Sequence, residues 1–124
     1  MMIALVRWFI KPGCEEDFIR AWQTLEPKDT SGFLAEFLSE PMPSDKITAY
    51  ETDDLQPESG EYVPFVNIGI WRDEATFQAV IKPNDRRELK PFEVKLPTRT
   101  ILTARDQHIG DWSPEILAHF QQTN

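Results

Sequence analysis

The sequence is poor in the residues on which metal and cofactor sites usually depend. Cys14 is the single cysteine, and histidine occurs twice, at His108 and His119. An internal disulfide and a cysteine-based metal cage are therefore excluded. No phosphate-binding glycine loop, nucleophile elbow or zinc motif is present either. We predict a protein that works without a bound metal or cofactor.

Positive charge and long apolar runs are also scarce. Thirteen Lys and Arg residues against 21 Asp and Glu residues give a net charge of −8, which repels nucleic-acid phosphates and anionic membrane surfaces. The apolar stretch 1–10 is interrupted by Arg7 and is followed by no small-residue cleavage site, so it favours a strand over a signal peptide. No run approaches the roughly 20 apolar residues of a membrane span. We expect a cytoplasmic protein that binds neither nucleic acid nor membrane.

The apolar residues that are present suffice for one folded domain. Hydrophobic residues make up 40% and aromatic residues 11% of the 124 positions, which is too much for a disordered chain. We therefore predict a single domain over residues 1–124. Within it, the acidic, proline-containing segment 41–61 is predicted to be a long loop with one short strand at 47–51.

Strand and helix periodicities alternate along the rest of the chain. Period-two alternation predicts four strands: 2–10, 33–40, 63–71 and 96–109. Helical spacing predicts two helices between them: from Cys14 to Leu25, stopped by Pro27, and from the capping residue Asp73 to Ile81. A third, short helix is predicted at 113–122, where a serine cap precedes Pro114.

The order β-α-β-β-α-β predicts an α+β, ferredoxin-like fold, with a four-stranded antiparallel sheet that carries both helices on one face. The other face is left bare and includes Phe9 and Phe37. These residues are too apolar for water, so we expect two copies to pair through their sheet faces as a homodimer.

Three segments carry a family resemblance: FIKPGCEEDFIRAW after the first strand, SGFLAEFL as the second strand, and VNIGIWRDEATFQAVI. They resemble the dimeric α+β barrel superfamily and, within it, the antibiotic-biosynthesis-monooxygenase-type domains. The similarity covers roughly residues 3–109. It implies a dimeric barrel with an apolar pocket in each subunit, and its pattern is more specific for the fold than for an activity.

One branch of this family consists of cofactor-free, quinone-forming monooxygenases. There an Asn, and a Trp four residues later, hold the substrate oxygens while a substrate carbanion reacts with O2. Asn67 and Trp71 match that spacing. The family's Tyr, six residues beyond the Trp, is Phe77 here, and its arginine on the last strand corresponds to either Arg99 or Arg105. The haem-degrading branch is excluded, because its Asn and His fall on apolar positions.

The resemblance and the strand pattern together define a candidate pocket. Its catalytic candidates are Asn67, Trp71, Arg99 and Arg105, and its further lining candidates are Phe65, Phe77, Arg7 and His108. Several alternatives stay open. Asn67 is either a donor in an apolar pocket or is bonded to backbone at a strand edge. Arg7 either faces the barrel interior or pairs with an acid. His108 is either a general base or a surface residue.

Two functions follow. The first is oxidation of a small aromatic or quinol-type substrate by O2 without a cofactor, in which ordinary substrate acidity supplies the carbanion because no convincing base is visible. The second is a non-catalytic, dimeric small-molecule-binding or stress-related module of the same fold.

Overall fold

A computed structural model describes residues 1–24, 32–41, 60–81, 88–108, 110, 111, 114 and 118. Its elements follow the predicted order: β1 (Met2–Ile10), α1 (Glu15–Gln23), β2 (Phe33–Ser39), β3 (Val63–Trp71), α2 (Glu74–Val80) and β4 (Glu93–Thr103). The four strands form one antiparallel sheet in the order β2-β3-β1-β4, and both helices cover the same face. The predicted α+β, ferredoxin-like topology is confirmed. In the described part of the chain, no helix is long and apolar enough to cross a membrane.

The fourth strand differs from its prediction at both ends. It begins at Glu93 rather than at residue 96 and ends at Thr103 rather than at residue 109. The early end has a simple cause, because β4 pairs only with β1, and Met2 opposite Thr103 is the first residue of that partner. A last backbone bond, from Ala104 N–H to the Met1 carbonyl, closes the ladder. Beyond it, no strand among the described residues pairs with the chain to hold it extended.

The first helix ends at Gln23, with Thr24 as its C-cap, two residues before the predicted end at Leu25. Two other predicted features lie outside the described residues: most of the 41–61 loop with its short strand at 47–51, and nearly all of the C-terminal helix at 113–122.

Both helices are held against the sheet by apolar clusters. Under α1, Phe18 packs with Ile10 and Phe65, and all three are buried. Under α2, Phe77 packs with Trp71 and with the start of β1. The start of α2 is capped as predicted, since the Asp73 carboxylate accepts a 2.8 Å hydrogen bond from the Thr76 backbone N–H.

Gly32, the residue before β2, lies against the start of α2. Its φ of +82° favours glycine, and a Cβ at this position would lie 2.7 Å from the Thr76 side chain. The Gly32 carbonyl accepts a 2.7 Å hydrogen bond from Arg72 N–H. This close approach fixes the start of β2 against the turn that leads into the second helix.

The sheet face without helices is less uniformly exposed than its sequence pattern indicated. Phe37 is 49% exposed, but Phe9 is only 3% exposed. The Phe9 ring is covered from within the chain by Tyr62, which meets it edge-on with centroids 4.9 Å apart, and by the Lys95 ammonium, 4.1 Å from its centroid. Phe9 therefore needs no second copy to remove it from water.

Candidate functional site

Asn67 lies at the middle of β3, on the face that carries the helices. Its register partners are Val6 on β1 and Leu38 on β2. The Trp22 indole N–H, from α1, donates a 3.0 Å hydrogen bond to Asn67 Oδ1. The two alternatives for Asn67 both omitted this partner, which is a side chain of the covering helix. Because Oδ1 accepts from Trp22, the amide N–H group of Asn67 is turned the other way.

Glu36 on β2 lies beside this pair and completes a polar cluster, which we call the Trp22–Asn67–Glu36 cluster. The register partner of Glu36 on β3 is Gly69. Gly69 is two residues from Asn67, so Glu36 and Asn67 share the helix-covered face. Glu36 is half-buried. Burial raises the pKa of the Glu36 carboxyl, while hydrogen bonding from Asn67 and Trp22 acts in the opposite direction without cancelling the effect.

Its burial and raised pKa make Glu36 a candidate general base. A carboxylate with a raised pKa holds a proton more tightly than one in water, and bases whose pKa lies closer to the working pH transfer protons more efficiently. The neighbouring Asn67 amide N–H is able to hydrogen-bond a substrate oxygen. Proton removal beside a polarised oxygen is therefore the chemistry that this cluster supports.

The Glu36 environment predicts a pH-dependent stability. The pKa of Glu36 is higher in the folded chain than in the unfolded chain, so the protonated carboxyl adds to the free energy of unfolding at low pH. This stabilisation is lost as the pH rises from about 4.5 through the folded-state pKa. We expect the free energy of unfolding of the wild type, relative to Glu36→Gln, to fall across that window and then level off. Denaturant titrations at a series of pH values measure it. A difference that rises with pH would contradict the assignment.

A cavity of about 280 Å³ with both apolar and polar lining residues opens next to the cluster, between α1 and β2. We call it the β2 cavity. Its lining residues come from α1, β2 and β3: Ile19, Trp22, Gln23, Leu38, Ser39, Glu40 and Phe65. Of the pocket candidates, Phe65 lines this cavity, whereas Asn67 contacts it only through Trp22. The cavity volume lies just below the range for small-molecule sites, roughly 300–1,000 Å³.

Trp71 and Phe77 lie on the other side of Asn67, in the packing under α2. Trp71 is 3% exposed and makes edge-on contacts with Phe33 and Phe77, with centroids 5.1 and 5.3 Å away. Its indole lies back over Gly69, where an added Cβ would approach Nε1 to 3.3 Å. Trp71 and Asn67 therefore share a face, but neither Trp71 nor Phe77 lines the β2 cavity.

The charged candidates are dispersed. Arg99 pairs in register with Val6, in the same cross-strand row as Asn67, and its guanidinium lies 5.4 Å from the Phe77 ring. Arg105 and His108 follow the end of β4 and are exposed. Of the two arginines left open, Arg99 is the one on the helix-covered side of the sheet.

Arg7 lies on the opposite face of the sheet. Its strand neighbours alternate with the residues that face the helices, and its guanidinium lies 5.4 Å from the Phe9 ring. Arg7 forms no ion pair with any described residue. The bare face is the one that would face the interior of a dimeric barrel, which is the first of the two alternatives for Arg7; Arg7 does not line the β2 cavity.

Glu36 is not among the candidate site residues predicted from the sequence, although the strand pattern contains a signal for it. It occupies the middle of the row Leu34, Glu36, Leu38, where an acid interrupts otherwise apolar positions. An acid in the buried row of a strand indicates either a hydrogen-bonded partner or a function. Helical spacing places Trp22 on the apolar face of the first helix, which gives no indication of its hydrogen bond to Asn67.

Comparisons with known proteins leave the family unassigned. No protein-family model matches the chain, and no curated protein matches it. Among the described residues, no group of three or more His, Cys, Asp and Glu side chains is placed to hold a metal ion.

Proposed function

We propose that the chain is a dimeric α+β barrel protein of the antibiotic-biosynthesis-monooxygenase type, which oxidises a small aromatic or quinol-type substrate with O2 and without a cofactor. The observation that supports the proposal is the Trp22–Asn67–Glu36 cluster next to the β2 cavity. The apolar side chains of that cavity suit an aromatic substrate, and Trp22 joins its wall to the cluster, in which Glu36 is the base and Asn67 the amide donor.

The reaction follows from these groups. For an anthrone-type substrate, Glu36 takes a proton from the ring CH2 group, and the Asn67 amide N–H stabilises the charge that develops on the substrate oxygen. The carbanion gives its electrons to O2, and the resulting hydroperoxide loses water to leave a carbonyl. One CH2 group and one O2 are consumed, and one C=O and one water are formed. Arg99 lies two strands away, about 10 Å in the sheet, and adds positive potential.

Asn67→Ala is expected to lower the rate of O2 uptake on the order of 10²-fold, because a preorganised amide donor is lost. The assay uses purified, metal-free protein with a panel of anthrones and hydroquinones in an oxygen electrode. Gln78→Ala, which removes an exposed amide on α2, is the matched control and should leave the rate unchanged. Uptake at the uncatalysed rate with every substrate, or equal rates in wild type and Asn67→Ala, would count against the proposed monooxygenase function.

One observation favours the second function, a non-catalytic small-molecule-binding module. The Asn67 carbonyl oxygen is already bonded to Trp22, and Asn67 does not itself line the β2 cavity. A protein of this kind would bind the aromatic panel, detected by quenching of the intrinsic tryptophan fluorescence, with no O2 uptake above the uncatalysed rate. The two functions are thereby separated in one set of samples.

We propose in addition that two copies pair through the sheet face that carries no helix. Phe37 and Leu102, on the two edge strands, are 49% and 42% exposed, and Leu5 and Ile68 between them are half-buried. Light scattering should give the mass of two 14.4 kDa chains, and Phe37→Glu should give one. Leu89→Glu, at an exposed apolar residue outside this face, is the control. A wild type with the mass of one chain would contradict the pairing.

A further inference from the structure

A second cavity, apolar and of about 320 Å³, lies on the other side of Trp22. We call it the Lys90 cavity. Its lining residues come from β1, α1 and the segment before β4: Trp8, Phe18, Ala21, Trp22, Thr24, Lys90 and Phe92. It shares with the β2 cavity only the Trp22 side chain, and the sequence assigned no role to this region.

The inner part of the Lys90 cavity is aromatic. Phe18 is 2% exposed and forms the floor, and the Trp8 and Phe92 rings pack against it with centroids 5.1 and 5.7 Å away. Ala21 faces the same space with the smallest side chain of the lining set. Flat aromatic walls around a small residue favour a planar ring system, which gains from stacked and edge-on contacts.

The mouth of the cavity is polar and carries a positive charge. Lys90 and Thr24 are exposed, and Lys90 forms no ion pair with a described residue. The position of Lys90 is fixed by its backbone N–H, which donates a 3.0 Å hydrogen bond to Glu93 Oε1. Glu93 is 2% exposed, so its carboxylate is turned inward to the backbone. Lys90 thus places a positive charge at the rim of the cavity, although the net charge of the chain is −8.

We propose that the Lys90 cavity binds a planar aromatic carboxylate. The ring system occupies the space between Trp8, Trp22 and Phe92, and the carboxylate lies at the mouth beside the Lys90 ammonium. An aromatic body requires the apolar interior, and the positive charge of Lys90 at the rim favours an anion over a cation. The site is distinct from the β2 cavity, with which it shares only the Trp22 side chain, and it requires no chemistry.

The charge requirement is tested by calorimetry with 2-naphthoate and with 2-naphthylmethanol, which has a similar shape without the charge. The carboxylate is expected to bind about fivefold more tightly, in keeping with one exposed ion pair. Lys90→Met should raise the Kd of 2-naphthoate by a similar factor and leave that of the alcohol unchanged. Lys11→Met, at an exposed turn, should change neither. Equal affinity for the two probes, or no binding of 2-naphthoate, would overturn the proposal.

The location is tested by filling the cavity. Ala21→Leu, a substitution that a helix tolerates well, should raise the Kd of 2-naphthoate at least about tenfold, because a buried side chain then occupies the space of the ring. Ala79→Leu, on the exposed surface of α2, should leave the Kd unchanged, and circular dichroism checks that both variants are folded. Binding of 2-naphthoate by folded Ala21→Leu with the wild-type affinity would overturn the proposal.

Discussion

Replacing Phe18 with alanine is expected to lower the free energy of unfolding by about 3–5 kcal/mol, the usual cost of removing a buried aromatic ring. Phe18 is 2% exposed, and its ring contacts three others, those of Trp8, Phe65 and Phe92. Phe18 is also the buried residue of α1, and it packs against the sheet. Its removal leaves a hole between α1 and three segments of the sheet layer, which cannot all collapse into it.

Urea denaturation of wild type and Phe18→Ala measures this loss. The control is Leu89→Ala, at an apolar residue that is 52% exposed, where a change within about 0.5 kcal/mol is expected. A loss of less than about 1 kcal/mol for Phe18→Ala would mean that the packing under α1 does not hold the helix in place. The Trp22–Asn67–Glu36 cluster would then lose its positioning as well, since Trp22 reaches Asn67 from that helix.

The second large effect is expected from Glu36→Gln in the proposed oxidation. The substitution keeps the size of the side chain and its ability to accept a hydrogen bond from Asn67, but it removes the group that takes the proton. General-base catalysis is typically worth about 10²- to 10⁴-fold in rate, so a loss in that range is expected. Because the variant no longer buries a carboxylate, it should be no less stable than the wild type at neutral pH.

The pH profile distinguishes a base from a merely structural residue. In the wild type, O2 uptake should increase as the pH rises through the raised pKa of Glu36, since the unprotonated carboxylate is the active form. The residual activity of Glu36→Gln should lack that increase. Glu16→Gln, on the exposed surface of α1, is the matched control and should keep the wild-type rate and profile. A Glu36→Gln variant with the wild-type profile would remove Glu36 from the reaction.

The fold was largely predictable because period-two and helical patterns are local properties of the chain. Asp73 capped α2 as its position indicated, and Asn67 lies on the predicted face. The end of β4 was not predictable from its own residues, because it is set by where β1 begins, at Met2. The burial of Phe9 was missed for a similar reason, since it depends on Tyr62, which is adjacent in space but distant along the chain.

The site was harder to predict because its members come from three separate elements. Spacing along β3 singled out Asn67 together with Trp71, yet the hydrogen-bonded partner of Asn67 is Trp22, 45 residues away. Histidine is the usual residue to consider as a base near neutral pH. The pKa of Glu36 is raised by burial, which the residue type alone does not indicate. An acid within an apolar alternating row was the available signal.

The most direct test of the central claim, that the cluster removes a proton from a bound aromatic substrate, is hydrogen–deuterium exchange at an anthrone CH2 group, followed by NMR in D2O without O2. Excluding O2 isolates proton removal from oxidation. Exchange faster than in buffer, lost in Glu36→Gln and retained in Glu16→Gln, is the predicted result. Exchange at the buffer rate with wild-type protein, or equally fast exchange with Glu36→Gln, would contradict the claim.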